Sequence, residues 1–149
     1  MAVYRDDPYS NSNFIVVING IFDDGQSVRG SFSEVSGLDV TVTPIEYRNG
    51  SEDATVRKIP GLKKFSNITL KRGVMGDLGF WNWIKSVLNG QVQRADGTIT
   101  LLDETRSPVM QWHFRRGWPC HWSGPTLNAS KNEVAIETLE ICHEGLEVD

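Results

Sequence analysis

Val109-Met110-Gln111-Trp112-His113-Phe114-Arg115-Arg116 alternates large apolar and polar side chains with a period of two. That is the spacing of a strand with one covered face, so Met110, Trp112 and Phe114 are expected inward and Gln111, His113 and Arg115 outward. Thr98 to Leu102 alternates in the same way, as do Asn67 to Arg72 and Asp39 to Thr43. Pro44 cannot donate to a ladder and marks an edge or a bulge, beyond which Ile45 and Tyr47 resume the alternation. Phe14-Ile15-Val16-Val17-Ile18 is a continuous apolar run and predicts a strand covered on both faces. Gly20, Asp23, Asp24 and Gly25 then mark a turn over Asn19 to Gln26, with Val28 to Val35 as the returning strand. Pro119 and Pro125 are expected to bracket an irregular stretch. Glu133 to Glu144 is expected as one long final strand that swaps faces, with Val134 and Ile136 on one side and Leu139 and Ile141 on the other.

Only Asp77 to Leu88 has helical spacing. Trp81, Ile84 and Leu88 fall at helical spacing, Phe80, Trp83 and Val87 broaden the stripe, Asp77 is the expected N-cap, and Asn89-Gly90 is the stop. Asn49 to Phe65 has no convincing apolar period and is expected as a long extended loop, a length usually reserved for function. The sum is a mainly β fold of about six to eight strands. Two packed antiparallel sheets would form a sandwich or barrel-like domain with one flanking helix, because strand–helix alternation is missing. The chain is expected to be a single domain over residues 1–149, with 1–12 a polar leader that is mobile in an isolated subunit.

Composition excludes several functions. With 39% hydrophobic and 23% charged residues the chain is an ordinary globular sequence. A formal charge of −4 lacks the basic excess of a phosphate-neutralising nucleic-acid binder. No apolar run approaches the ~20 residues that span a bilayer. No export signal is recognisable, which points to synthesis and folding in the cytoplasm. No catalytic or phosphate-cradling motif occurs. The expectation is a non-enzyme without cofactors. Cys120-His121 and Cys142-His143 leave a Cys/His zinc-dependent enzyme as an alternative, although adjacent strand residues face opposite ways.

Charge is unevenly distributed. Arg57, Lys58, Lys63, Lys64, Lys71 and Arg72 are close in sequence, whereas the C-terminal region carries Glu133, Glu137, Glu140, Glu144, Glu147 and Asp149. Either these are two solvated faces, or they are complementary surfaces of neighbouring subunits that set register and orientation.

An ordered series of blocks resembles the phage tail-tube protein family. It comprises Phe32-Ser33-Glu34-Val35-Ser36-Gly37-Leu38, Glu46-Tyr47-Arg48-Asn49-Gly50, Arg57 to Lys64, Leu70 to Val74, Phe80-Trp81-Asn82-Trp83, Trp118-Pro119, Trp122 to Pro125, and Asn132 to Glu140. The resemblance implies an inner-tube subunit of a contractile phage tail or contractile injection system. Its hexameric rings would stack around a lumen, with strands joined across subunits into a ring barrel. It implies as partners the chain itself, a contractile sheath protein, baseplate or hub and tube-terminator proteins, and cargo protein or DNA in the lumen. An acidic lumen would repel DNA. The resemblance also makes the 49–65 segment a reach toward neighbouring subunits. The expected interface set is therefore Asn49, Glu52, Asp53, Arg57, Lys58, Pro60, Leu62, Lys63, Lys64, Glu137, Glu140 and Glu144. A baseplate-proximal tube initiator or a secretion-system tube protein remains as an alternative within the same class.

Overall fold

A computed structural model describes residues 2–19, 32–48, 50 and 55–149. In chain order these form β1 (Phe14–Ile18), β2 (Phe32–Ser36), β3 (Val40–Tyr47), β4 (Arg57–Phe65), β5 (Ile68–Gly73), α1 (Gly79–Leu88), β6 (Ala95–Leu102), β7 (Pro108–Ser123), β8 (Ile136–Cys142) and β9 (Gly145–Val148). All described strand pairs are antiparallel. The main sheet runs β1-β6-β7-β8-β5-β2, with β9 added to β7, and β3-β4 stands apart as a two-stranded ribbon.

Strand β7 divides the main sheet into two packed halves. Its first part pairs with β6 and β9, and Trp118 to Ser123 pairs with β8. The corner is at Arg116, whose φ is 52°, beside Gly117. A Cβ on Gly117 would lie 2.6 Å from the Phe114 ring, so the bend closes directly onto the core. The bridging strand is thus β7, not the final strand. Pro119 lies buried inside β7 next to a register shift instead of opening an irregular stretch. The expected final strand is two strands, broken at His143-Glu144. In β8, Glu137, Leu139 and Ile141 all point inward, so it does not swap faces.

The core joins Val16, Ile18, Ile99 and Phe114 of one half to Ile68, Leu70, Leu139 and Ile141 of the other. Helix α1 covers it with Phe80 and Trp83, while Ile84 and Val87 are half-buried. Those four fall at i, i+3, i+4 and i+7, so the buried stripe is the part of the expected one that Phe80, Trp83 and Val87 broaden. Trp81 and Leu88 are exposed instead. Asp77 does not cap the helix in the usual position, but its Oδ1 accepts the Gly79 N–H at 2.9 Å. No helix among the described residues is long and apolar enough to cross a membrane.

The leader is hydrogen-bonded to the body. Val3 N–H donates to Val109 O at 2.8 Å, and Leu102 N–H to Asn13 O at 2.8 Å. Arg5 forms a two-pronged pair with Glu104 at 2.9 and 3.0 Å, on a turn organised by Asp103. The Arg5 guanidinium in turn holds the Glu104 carboxyl below its ordinary range.

Candidate assembly interface

The expected loop at 49–65 is in its second half a strand. Arg57–Phe65 pairs with Val40–Tyr47 from Val40↔Phe65 out to Tyr47↔Arg57, with a register shift near Pro44 as its proline anticipated. Strands β2 and β5 pair just beyond, from Phe32↔Arg72 to Ser36↔Thr69. Thus β2-β3 and β4-β5 are the two sides of one long ribbon. Its inner half belongs to the main sheet, and its outer half projects as an arm.

Gly37 makes the joint between the halves. It has φ +87°, and a Cβ there would sit 2.0 Å from Asn67 O, a distance no side chain tolerates. Ser66 N–H closes the joint by donating to Asp39 O at 3.2 Å. His143 braces it from the body. Its Nε2 is 2.9 Å from Ser66 O and its Nδ1 3.1 Å from Gly145 O, and its ring lies against Phe65 and Phe114.

Every residue of β3 is exposed. Val40 and Val42 near the joint, and Ile45, Tyr47, Ile59 and Leu62 farther out, are 45–84% exposed. Among the described residues no sheet or helix packs on this ribbon; a bare two-stranded ribbon is marginal in water, and apolar side chains grouped this way mark an interaction surface. Two further open features accompany the arm. Among the described residues, β1 pairs only with β6 and β2 only with β5, so both outer strands of the main sheet present a free side.

The sequence-derived residues separate into three groups. Arg57, Lys58, Pro60, Leu62, Lys63 and Lys64 stand exposed along β4. Asn49, Glu52 and Asp53 lie outside the described residues. The three glutamates do not share a surface. Glu144 is exposed at the β8–β9 turn, 2.7 Å from Arg116 Nε. Glu140 accepts the Asn67 side-chain amide at 2.8 Å on the outward face of β8. Glu137 is a correction: it is buried within the subunit and bound to Arg72 Nε at 2.5 Å. Arg72 is equally buried, lies over the Phe80 ring and also reaches Asp77, so the pair fastens β5 and β8 to α1. Strand alternation explains this, because Glu137 shares the inward parity of Leu139 and Ile141. What the sequence reading left out are the arm's own apolar residues, Val40, Val42, Ile45, Tyr47 and Ile59. Their signal was alternation in a strand with no covered face to account for it.

Cys120 and Cys142 are free thiols placed side by side. Burial, then the neighbouring Cys142 thiol, pushes Cys120 up to about 12. Its Sγ donates to Glu140 O at 3.5 Å. His143 is occupied by carbonyl oxygens and His121 is exposed. Among the described residues no group of three or more His, Cys, Asp or Glu is arranged to hold a metal.

The sequence profile of a family described as T4-like virus tail tube protein gp19 matches residues 10–147. Among solved structures, the chain is similar to one in the sheath-tube complex of an extracellular contractile injection system, PVC, in its extended state. That likeness has a TM-score of 0.84 at 28% identity over 97% of this chain and 93% of the other. It is similar to a chain of the anti-feeding prophage baseplate, with a TM-score of 0.85 at 26% identity over 97% of both chains. Hcp1 from Flavobacterium johnsoniae, at 12% identity and a TM-score of 0.62 over 91% of this chain and 93% of the other, shares the fold. A comparison with curated protein sequences finds no match.

Proposed function

We propose, from the chain's membership of the T4-like virus tail tube protein family, that it is an inner-tube subunit of a contractile injection particle or contractile phage tail, acting mechanically and not as an enzyme. The carrying observation is the β3-β4 arm, a ribbon whose exposed apolar residues no described residue of its own subunit covers. A heterologous contact that closes makes a ring, and repetition along the axis makes a tube. Six-membered rings agree with the six-fold symmetry named for the anti-feeding prophage baseplate. Ring closure would also satisfy the free sides of β1 and β2.

The partners follow from the similar structures, which are named as sheath-tube, baseplate and tube-terminating cap assemblies. We read the whole chain as one tube domain, assembled in the bacterial cytoplasm and carried in the finished particle. The outward face of β2, β5 and β8 bears Glu34, Thr69, Lys71, Thr138 and Glu140, with Glu34 and Lys71 paired at 3.5 Å. This hydrophilic face suits a water-filled channel for cargo.

Electron microscopy of the purified protein across a concentration series tests the proposal. Hollow tubes or six-fold rings are expected. Monomers at every concentration, with and without the cognate baseplate, would overturn it.

A further inference from the structure

We propose that Cys120 and Cys142 are a redox-active thiol pair, a modification site that takes a low-molecular-weight disulfide as oxidant and closes a reversible bond across the seam between β7 and β8. Strand register brings them together. Trp118 opposes Cys142, Pro119 opposes Ile141 and His121 opposes Glu140, so Cys120 is the extra residue at the register shift. Cys142 shares the outward parity of Thr138 and Glu140, while Leu139 and Ile141 are buried on the other face of β8. Cys120 follows the buried Pro119 and is half-buried on the same outward face. The two free thiols are hydrogen-bonded to each other.

Their placement is not that of packing residues. A cysteine that only fills space belongs with Leu139 and Ile141 in the core. These two sit on the opposite face, half-buried, within reach of a small reagent. Cys120 is held in position there. Its Sγ donates to Glu140 O at 3.5 Å, and Asn67 Nδ2 lies 3.7 Å from the sulfur and 2.8 Å from Glu140 Oε1.

The two sulfurs have unequal roles. Burial, then the contact with Cys142, keeps the proton on Cys120, at about 12, so the first attack falls to Cys142. Its sulfur gives up a proton and attacks one sulfur of a disulfide R–S–S–R. The reagent's S–S bond breaks, Cys142–S–S–R forms, and R–S⁻ leaves and takes up a proton. The Cys142 thiol that helped to hold the Cys120 proton is then gone. Cys120 loses that proton and attacks the Cys142 sulfur, expelling the second R–S⁻, which is protonated in turn. The two cysteines are oxidised by two electrons in all, and R–S–S–R is reduced to two R–SH.

The bond closes a loop over residues 121–141. It lies within one subunit and forms with or without assembly. On the tube-subunit proposal the same face lines the channel, and a subunit built in a reducing compartment is stapled only after release into an oxidising one.

Exposure of the reduced full chain to glutathione disulfide at pH 8 tests this, read by non-reducing peptide mass spectrometry and thermal unfolding. A Cys120–Cys142 linked peptide within the monomer is expected, with Tm raised by roughly 5–10 °C, and excess glutathione should reverse both. Cys120→Ser should accumulate the glutathione adduct at Cys142, whereas Cys142→Ser should give roughly tenfold less adduct at Cys120 over the same time. Both thiols remaining reduced in the native chain would overturn the pair, as would links found only between copies. Equal adduct yields in the two single variants would overturn Cys142 as the point of attack. None of these outcomes alters the tube-subunit proposal.

Discussion

Replacing Ile45 and Ile59 together by threonine isolates the arm's contribution to assembly. The two residues are directly opposite in the ribbon, and threonine keeps the β-branching that suits a strand. Each change removes about two apolar carbons, worth about 0.8 kcal/mol apiece when fully buried. Ile45 is 53% and Ile59 45% exposed in the free subunit, so about half of that value is still to be gained on assembly. The pair then contributes about 1.6 kcal/mol, and its loss should raise the critical concentration for tube formation about 15-fold. Sedimentation of tubes against free subunit measures this directly. The same variant should unfold within about 0.5 kcal/mol of the parent as a dilute monomer, as expected for exposed sites. A critical concentration within about twofold of the parent's, with normal tubes, would show that the arm's apolar residues stay in water and would remove the main support for their role.

Three further outcomes are expected. Arg72→Leu strands the buried Glu137 carboxylate and should cost about 3–5 kcal/mol, or roughly 6–20 °C in Tm; Arg72→Leu with Glu137→Leu should recover much of that, and a loss below about 1 kcal/mol in the single variant would refute the pair's structural weight. Gly37→Val, which forces a β-branched residue into positive φ against Asn67 O, should abolish tubes and destabilise the monomer by more than about 2 kcal/mol, checked by denaturant titration and microscopy. Cys120 should react with iodoacetamide far more slowly in the native protein at pH 8 than in urea, because its thiol stays protonated. The same raised value means that its contribution to stability is intact below about pH 9 and falls as pH rises toward 12; native and unfolded labelling rates that agree, read by peptide mass spectrometry, would contradict its burial.

The sequence disclosed those parts of the fold whose apolar residues face the subunit's own core. Ile99, Phe114 and Leu139 all sit where alternation predicts a covered face, whereas β1, expected to be covered on both faces, buries only Val16 and Ile18 and leaves Ile15 exposed. It failed where a second rule overrode periodicity. Pro119 looked like a strand breaker, yet it is accommodated beside a register shift in β7. Trp81 looked like a core residue through its size, yet it stands at the core's margin against Trp122. Glu137 looked like surface because it is charged, yet Arg72 makes burial affordable.

The arm is the most instructive failure, because the pattern argument assumes that whatever covers a strand's face belongs to the same chain. Residues 57–65 interleave Arg57, Lys58, Lys63 and Lys64 with Ile59, Pro60 and Leu62, which fits neither a half-buried strand nor a helix. A strand covered by another copy has no reason to show the in-versus-out contrast of a single globule. It carries apolar groups for the interface and charges for register along both directions. Missing periodicity, an ordered ribbon and exposed apolar side chains are therefore one observation seen at three levels. The joint at Gly37, where the joined ribbon admits no Cβ, is where the chain leaves its own core and, on the proposed reading, turns toward a neighbour.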